Sequence, residues 1–333
     1  MKIFITGATG LVGRHLVDRL LLQGHEVITL IRAVAPFTMA AAEKLKIIRG
    51  DVMDLNGLAG AIGRVDVIIH CAAITTFSHE FQLYGRQALA ANIEGTHNVA
   101  NLALQLGASQ MLHLSSSSVM GDNYEGERDE SAPCNPDNDY GRSKFEAEKE
   151  VLKAGSAGLP VTIFRPGLIY GAFDRGGMRA IIDRVYKNRW ITLGSGENKK
   201  NLTCVHNLVD ALMLAMGNPA AFGQIFFIND GIPYSINELI NTIQHLLDRK
   251  ESCLHVPVVV CLALSKMIHT LSLRKKGKLN ILAWLITQAM RSTTYRIDKA
   301  KKILNFQPKR MLEYGLGEEI EWLINEKKGT LER

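Results

Sequence analysis

The chain has 333 residues, 47% of them apolar and 22% charged, with a formal net charge of +6. That length suits one large domain with a second lobe beside it, and the balance of apolar and charged residues excludes a disordered or fibrous chain. The lysines and arginines are scattered, with no basic stripe and interleaved aromatics, which argues against nucleic acid as a partner.

The first stretch, Met1 to Gly13, reads as strand, glycine turn and helix. Ile3 to Thr6 form a short buried-strand pattern; Gly7, Gly10 and Gly13 then lead into Leu11, Val12, Leu16, Val17, Leu20 and Leu21 at helical spacing. Glycines let the backbone approach a pyrophosphate, and the free N–H groups at the helix start face its charge. A second strand, His25 to Ile31, ends at Arg32. In dinucleotide folds an acidic residue at this strand end holds the ribose 2′-hydroxyl of NAD, whereas an arginine grips the 2′-phosphate of NADP. Ile31 fills the acidic place and Arg32 follows, so NADP(H) is favoured over NAD(H).

Leu45 to Ile48 lead to Gly50-Asp51-Val52, whose carboxylate suits the adenine amino group. The strand Val65 to Ile69 ends in His70-Cys71-Ala72-Ala73, small residues at a carboxyl edge where ligands bind. His70 reads as a structural histidine rather than a base. A helix is predicted over Phe81 to Leu106. Strand Met111 to Leu114 then runs into Ser115 to Ser118, and Tyr140-Gly141-Arg142-Ser143-Lys144 opens another helix. Spacing i, i+4 puts Tyr140 and Lys144 on one face, where the ammonium is expected to lower the phenol's pKa. A second Tyr-x-x-x-Lys match, Tyr295 and Lys299, lies far beyond the nucleotide half and is read as a decoy.

Strand Val161 to Phe164 precedes Arg165-Pro166-Gly167. Beyond it the alternation loosens, with helices predicted at Met178 to Lys187, Asn207 to Met216, Ile236 to Leu247 and Leu312 to Asn325, and short strands near Trp190, Leu202 and Gln224. The expected architecture is α/β: a Rossmann-type doubly wound parallel sheet over 1–170, and a smaller C-terminal α+β substrate lobe over 171–333, parts of which return to the main sheet. Five scattered cysteines without a Cys-x-x-Cys pair indicate neither disulfides nor zinc and suit a reducing cytoplasm. The apolar run from Val256 is too short for a membrane span, leaving peripheral membrane contact open, and Arg274 to Lys278 read as a solvated loop.

Together these residues resemble the extended short-chain dehydrogenase/reductase family, the group of nucleotide-sugar epimerases and dehydratases, 3β-hydroxysteroid dehydrogenases and dihydroflavonol reductases. Thr6-Gly7-Ala8-Thr9-Gly10-Leu11-Val12-Gly13 is similar to its cofactor loop, Gly50-Asp51 to its adenine contact, and Asn92-Ile93-Glu94-Gly95-Thr96 to its central-helix signature. The resemblance implies Tyr140 as general acid/base, Lys144 on the nicotinamide ribose, and Ser116 on the reacting oxygen. It also places Pro166 beside nicotinamide, and Lys200 where many members carry an arginine for a nucleotide phosphate. Met120 stands where many sugar-nucleotide members have tyrosine. The expected activity is reversible hydride transfer at a secondary alcohol or ketone, on an apolar compound or a nucleotide sugar. The alternatives are an epimerase or dehydratase with retained NAD and, from another class, a non-catalytic NADP-binding sensor. The resemblance also implies a homodimer.

Overall fold

The computed structural model describes residues 1–32, 43–55, 57–121, 124, 126–250, 254–261, 263 and 291–331. Leu262 and Leu264, in the apolar run Val256 to Leu264, and the basic cluster Arg274 to Lys278 lie outside these residues. The first half contains β1 (Lys2–Thr6), α1 (Leu11–Leu22), β2 (Glu26–Ile31), β3 (Leu45–Arg49), α2 (Leu58–Ile62), β4 (Val67–His70), α3 (His79–Tyr84), α4 (Ala90–Gln105), β5 (Gln110–Leu114), β6 (Gly126–Arg128), α5 (Asp139–Ser156) and β7 (Val161–Pro166). The second half contains β8 (Leu168–Tyr170), α6 (Gly177–Tyr186), β9 (Ile191–Leu193), β10 (Lys199–Lys200), β11 (Leu202–Cys204), α7 (Val205–Ala215), β12 (Gln224–Ile228), β13 (Tyr234–Ser235), α8 (Ile236–Leu246), β14 (Leu254–Val256), β15 (Thr293–Tyr295), α9 (Asp298–Leu304) and α10 (Leu312–Leu331).

The main sheet is parallel and seven-stranded, in the order β12-β7-β5-β4-β1-β2-β3. Strand order reverses beside β1, which places the expected ligand crevice at the carboxyl ends of β1 and β4. Side-chain alternation explains the continuous apolar run in β1. Ile3 and Ile5 pack with Leu16, Leu208 and Leu212 on one face, while Phe4 packs with Val99, Ala103 and Val151 on the other. Strand β12, from the second half, pairs with β7 from Gln224↔Thr162 to Ile228↔Pro166 and so closes the first sheet.

The helix predicted over Phe81 to Leu106 is two α-helices joined by a 3₁₀ segment, because Gly85 at φ +57° caps α3. A separate core forms the C-terminal lobe, where Met178, Ile182, Leu239, Ile243, Leu316 and Ile320 gather around the fully buried Tyr170. A four-stranded sheet, β13-β10-β15-β6, bridges this lobe to the loop before α5. No helix among the described residues is long and apolar enough to cross a membrane.

Candidate active site

The turn between β1 and α1 is pressed against the end of β4. A Cβ on Gly7, where φ is +76°, would lie 2.5 Å from the Ala72 nitrogen, and one on Gly13 would lie 2.1 Å from the Gly7 carbonyl oxygen. No side chain fits at either position. Gly10 is the N-cap of α1 and makes no side-chain cap, and the first turn carries no acidic residue. The start of a 12-residue helix therefore presents its N–H groups with nothing of its own to satisfy them. Thr9 and Gly10 are exposed, Leu11 half-buried, and Val12 and Gly13 buried beneath them. These residues fit the pyrophosphate of a dinucleotide.

Around this turn the remaining sequence candidates are placed as follows. Arg32 stands beyond the end of β2 with its side chain 57% exposed and its guanidinium 2.5 Å from the Glu80 carboxylate. The Asp51 carboxylate accepts a hydrogen bond from the Met53 N–H, and Val52 packs against Gly95 of α4. Cys71 and Ala72 are half-buried and Ala73 exposed; burial pushes the Cys71 thiol up to about 12, so it is inert at neutral pH. Pro166 is buried at the end of β7.

Asn92, a candidate cofactor-side residue from the central-helix signature, also braces the loop after β4. Its oxygen accepts from the Ile74 N–H at 2.7 Å, and its amide donates to the Ile74 carbonyl and to the Ser143 hydroxyl. It ties the loop after β4 to α5. His70 is a structural histidine: one ring nitrogen meets the Thr6 hydroxyl at 2.6 Å and the other the Thr96 hydroxyl at 2.9 Å. Burial draws its pKa down to about 3, aided by Lys144, so it stays neutral.

Ser116, Tyr140 and Lys144 converge at the carboxyl edge of β5. The Asn138 side chain caps α5 by accepting from the Gly141 N–H at 2.8 Å, which sets Tyr140 in the first turn. Gly141 is required there, because a Cβ would lie 2.3 Å from the Ser118 carbonyl oxygen. This contact brings Tyr140 within hydrogen-bond reach of Ser116. Ser116 in turn accepts from the Ser118 N–H and donates to the Ser118 hydroxyl. The expected lowering of the tyrosine pKa is absent: burial pushes the Tyr140 phenol up to about 12, against the hydrogen bond with Ser116. Lys144, 1% exposed, donates to the Leu114 carbonyl at 2.7 Å, and burial draws its amine down to about 8 against the pull of Glu148 and Cys71.

Beneath this trio lies an ion pair that sequence reading missed. The Arg165 guanidinium donates both Nε and Nη2 to Glu148, at 2.9 and 2.7 Å, and Ser115 donates to the same carboxylate at 2.5 Å. Both side chains are almost fully buried. Glu148 follows Lys144 by one helical turn, and that i, i+4 spacing was its only sequence signal. Met120 is buried too, its sulfur within 3.6 Å of Arg165 and 3.7 Å of the Cys134 thiol, so it lies under the site rather than in it.

A cleft of about 280 Å³ opens beside the serines, lined by Ser117, Ser118, Leu168, Ile181, Lys200, Asn201, Leu202, Tyr234, Ser235, Ile236, Leu239, Thr293 and Tyr295. Lys200 is the only cation in that lining among the described residues, and its amine donates to the Thr293 hydroxyl at 2.7 Å. Tyr295 sits in strand β15 and Lys299 in helix α9, so that match has no shared helical face. Its tyrosine serves instead as a wall of the cleft.

The fold and this convergence define a Rossmann-type enzyme whose tyrosine and lysine lie one helical turn apart. The chain belongs to the NAD dependent epimerase/dehydratase family, whose model matches residues 3–228, and thus to the extended short-chain dehydrogenase/reductase group. It is 32% identical over 264 residues to a 3-beta-hydroxysteroid dehydrogenase of Mycolicibacterium neoaurum, covering 75% of this chain and 71% of that protein. A UDP-glucose 4-epimerase of Vibrio cholerae is 27% identical over 270 residues, 77% of this chain and 79% of that one. The crystal structure of UDP-glucuronic acid 4-epimerase from Bacillus cereus with NAD shares the fold, with a TM-score of 0.77 at 20% identity over 98% of this chain and 99% of that chain. Relatives of this kind are enzymes, which sets aside the non-catalytic sensor.

Proposed function

We propose that the protein is an NADP(H)-preferring dehydrogenase/reductase that interconverts an apolar secondary alcohol and its ketone. The observation that carries this reading is the meeting of Ser116 and Tyr140 next in the chain to Ser117 and Ser118, which line a cleft walled mainly by Leu168, Ile181, Leu202, Tyr234, Ile236, Leu239 and Tyr295. Such walls suit an apolar body held by a few polar groups.

When bound, the nicotinamide supplies or accepts the hydride. Gly7, Thr9, Gly10, Leu11, Val12 and Gly13 would hold the pyrophosphate, Asp51 and Val52 the adenine, and Cys71, Ala72, Ala73 and Pro166 the nicotinamide side. In reduction, Tyr140 gives its phenolic proton to the carbonyl oxygen while the Ser116 hydroxyl donates a hydrogen bond to it. A phenol pushed up to about 12 is fully protonated at neutral pH, the form this direction needs. Lys144, which would also hold the nicotinamide ribose, lends positive charge that favours the phenolate left behind. Five scattered cysteines without a Cys-x-x-Cys pair suit a reducing cytoplasm, and a homodimer is part of the reading.

The NADP preference rests on Arg32, which is exposed at the end of β2 where Ile31, not a carboxylate, stands. A 2′-phosphate would take the place of Glu80 on this guanidinium. Fluorescence titration with NADPH and NADH tests the choice. Tighter NADPH binding, weakened on the order of tenfold in Arg32→Ala, is expected from the loss of a charged hydrogen bond. Tightly retained NAD, or equal affinities, would overturn it. Lys200 favours a second reading, a nucleotide-sugar epimerase with this amine on a phosphate; unchanged affinity for nucleotide sugars in Lys200→Ala would remove that reading.

A further inference from the structure

At one corner of the C-terminal lobe, apolar and cationic side chains are exposed together. Strand β14 pairs with β9, Leu254 opposite Ile191, and the chain then makes a helical turn from Pro257 to Cys261 closed by the Val260 and Cys261 N–H groups on the Pro257 carbonyl. Cys261 turns inward and is 1% exposed, its thiol on the Val256 carbonyl. Val258, Val259 and Val260 therefore face out. Val259 is 77% exposed and Leu254 65%, with Ile191 and Tyr186 near half. Single exposed apolar residues need no explanation, but six gathered at one corner mark an interaction site.

The charge around them is mainly positive. Arg184, Lys187 and Arg189 are exposed at the end of α6 and in the turn after it, and Arg249 and Lys250 follow the end of α8. Arg249 lies over the Tyr186 ring, 5.2 Å from its centroid, which joins the two helix ends into one surface. Among the described residues of these segments the carboxylates are Asp248, exposed, and Asp183, which pairs with Arg179. Three adjacent outward valines on a corner that also exposes five cations have the chemistry of a surface that enters the headgroup region of an anionic bilayer: apolar groups insert while the cations meet lipid phosphates. A protein partner or a second copy would require a complementary acidic apolar surface, whereas an anionic bilayer supplies both halves of the complement at once.

We infer that this corner, formed by the ends of α6 and α8 with β9, β14 and the valine turn, docks the enzyme reversibly on an anionic membrane surface. Helix α6 links it to the active cleft. Ile181 lines the cleft, and Arg184 lies one helical turn further on, about 5 Å along the axis. Docking holds the cleft near the bilayer. The geometry of the corner supports this whichever substrate class the cleft takes.

Co-sedimentation of the full chain with vesicles tests it, using phosphatidylglycerol mixed with phosphatidylcholine against phosphatidylcholine alone. The expected result is binding to the anionic vesicles only, abolished in about 1 M salt, where the screening length falls to about 3 Å. Val259→Asp and the double variant Arg184→Glu with Lys187→Glu alter exposed side chains and should leave the fold and cofactor binding intact. Each is expected to weaken vesicle binding at least tenfold, since every cation at such a surface contributes on the order of fivefold. Absence of binding to anionic vesicles overturns the inference, as does binding that both variants retain. A concentration-dependent dimer disrupted by Val259→Asp, without vesicle binding, would assign the corner to a second copy instead.

Discussion

Glu319 shows how burial can decide the charge state of a side chain. It is fully buried; one carboxyl oxygen accepts from the Gly171 N–H at 2.9 Å, and the other has no hydrogen-bond partner among the described residues. Burial, with Asp174 second, pushes its pKa from 4.5 up to about 9. Between those pH values the folded chain keeps a proton that the unfolded chain has lost, so this group's contribution to stability is lost as pH rises through the window. Denaturation followed from pH 5 to 9 should therefore show a decline that Glu319→Gln, which cannot ionise, flattens. An unchanged pH profile in the variant would place the proton elsewhere. Lys144 obeys the same rule with the opposite sign: burial favours its neutral form, and Glu148 acts against that. Glu148 itself tolerates burial because Arg165 and Ser115 satisfy it, and removing one partner of such a pair leaves an uncompensated charge.

At the scale of elements, the start of α5 decides the site. Asn138 caps it, Gly141 allows it to touch the turn after β5, and Tyr140 is thereby delivered to Ser116. Gly141→Ala puts a methyl 2.3 Å from the Ser118 carbonyl oxygen and should cost about 1–3 kcal/mol in stability, with a loss of turnover. The control is Gly60→Ala in α2, where a Cβ meets nothing and helix propensity gains up to about 1 kcal/mol. Equal melting behaviour for the two variants would show that the close approach is unimportant. The Tyr140-to-Lys144 spacing was legible in the sequence because helical periodicity fixes it locally. The glycine turn was legible for the same reason. The capping role of Asn138 and the demand for Gly141 were not, since each depends on a neighbour that only the fold supplies. The bracing role of Asn92 was not legible either: its partners, Ile74 and Ser143, lie in segments that periodicity cannot bring together.

Across the whole molecule, the sheet was readable and the cleft was not. The strands of the first half announce themselves as apolar runs ending in small or polar residues, and this order gives the crevice beside β1 and β4. The return of β12 to that sheet was foreseen only as a general feature of the second half, and its partner β7 is known only from the structure. The cleft draws walls from β8, α6, α8 and β15, and its Lys200 meets Thr293 across 93 residues. Tyr295, set aside as half of a decoy motif, is one of those walls. Long-range assembly of this kind has no local signature, which is why substrate class is the part of function least visible in the sequence.

The central claim is that Tyr140 protonates the oxygen as hydride reaches the carbon. The direct test is single-turnover oxidation of bound NADPH by a turned-over apolar ketone, comparing the wild type with Tyr140→Phe. A rate lowered about 10²–10⁴-fold, with NADPH affinity nearly unchanged, is the predicted result for loss of a general acid. An undiminished rate in Tyr140→Phe would contradict the account.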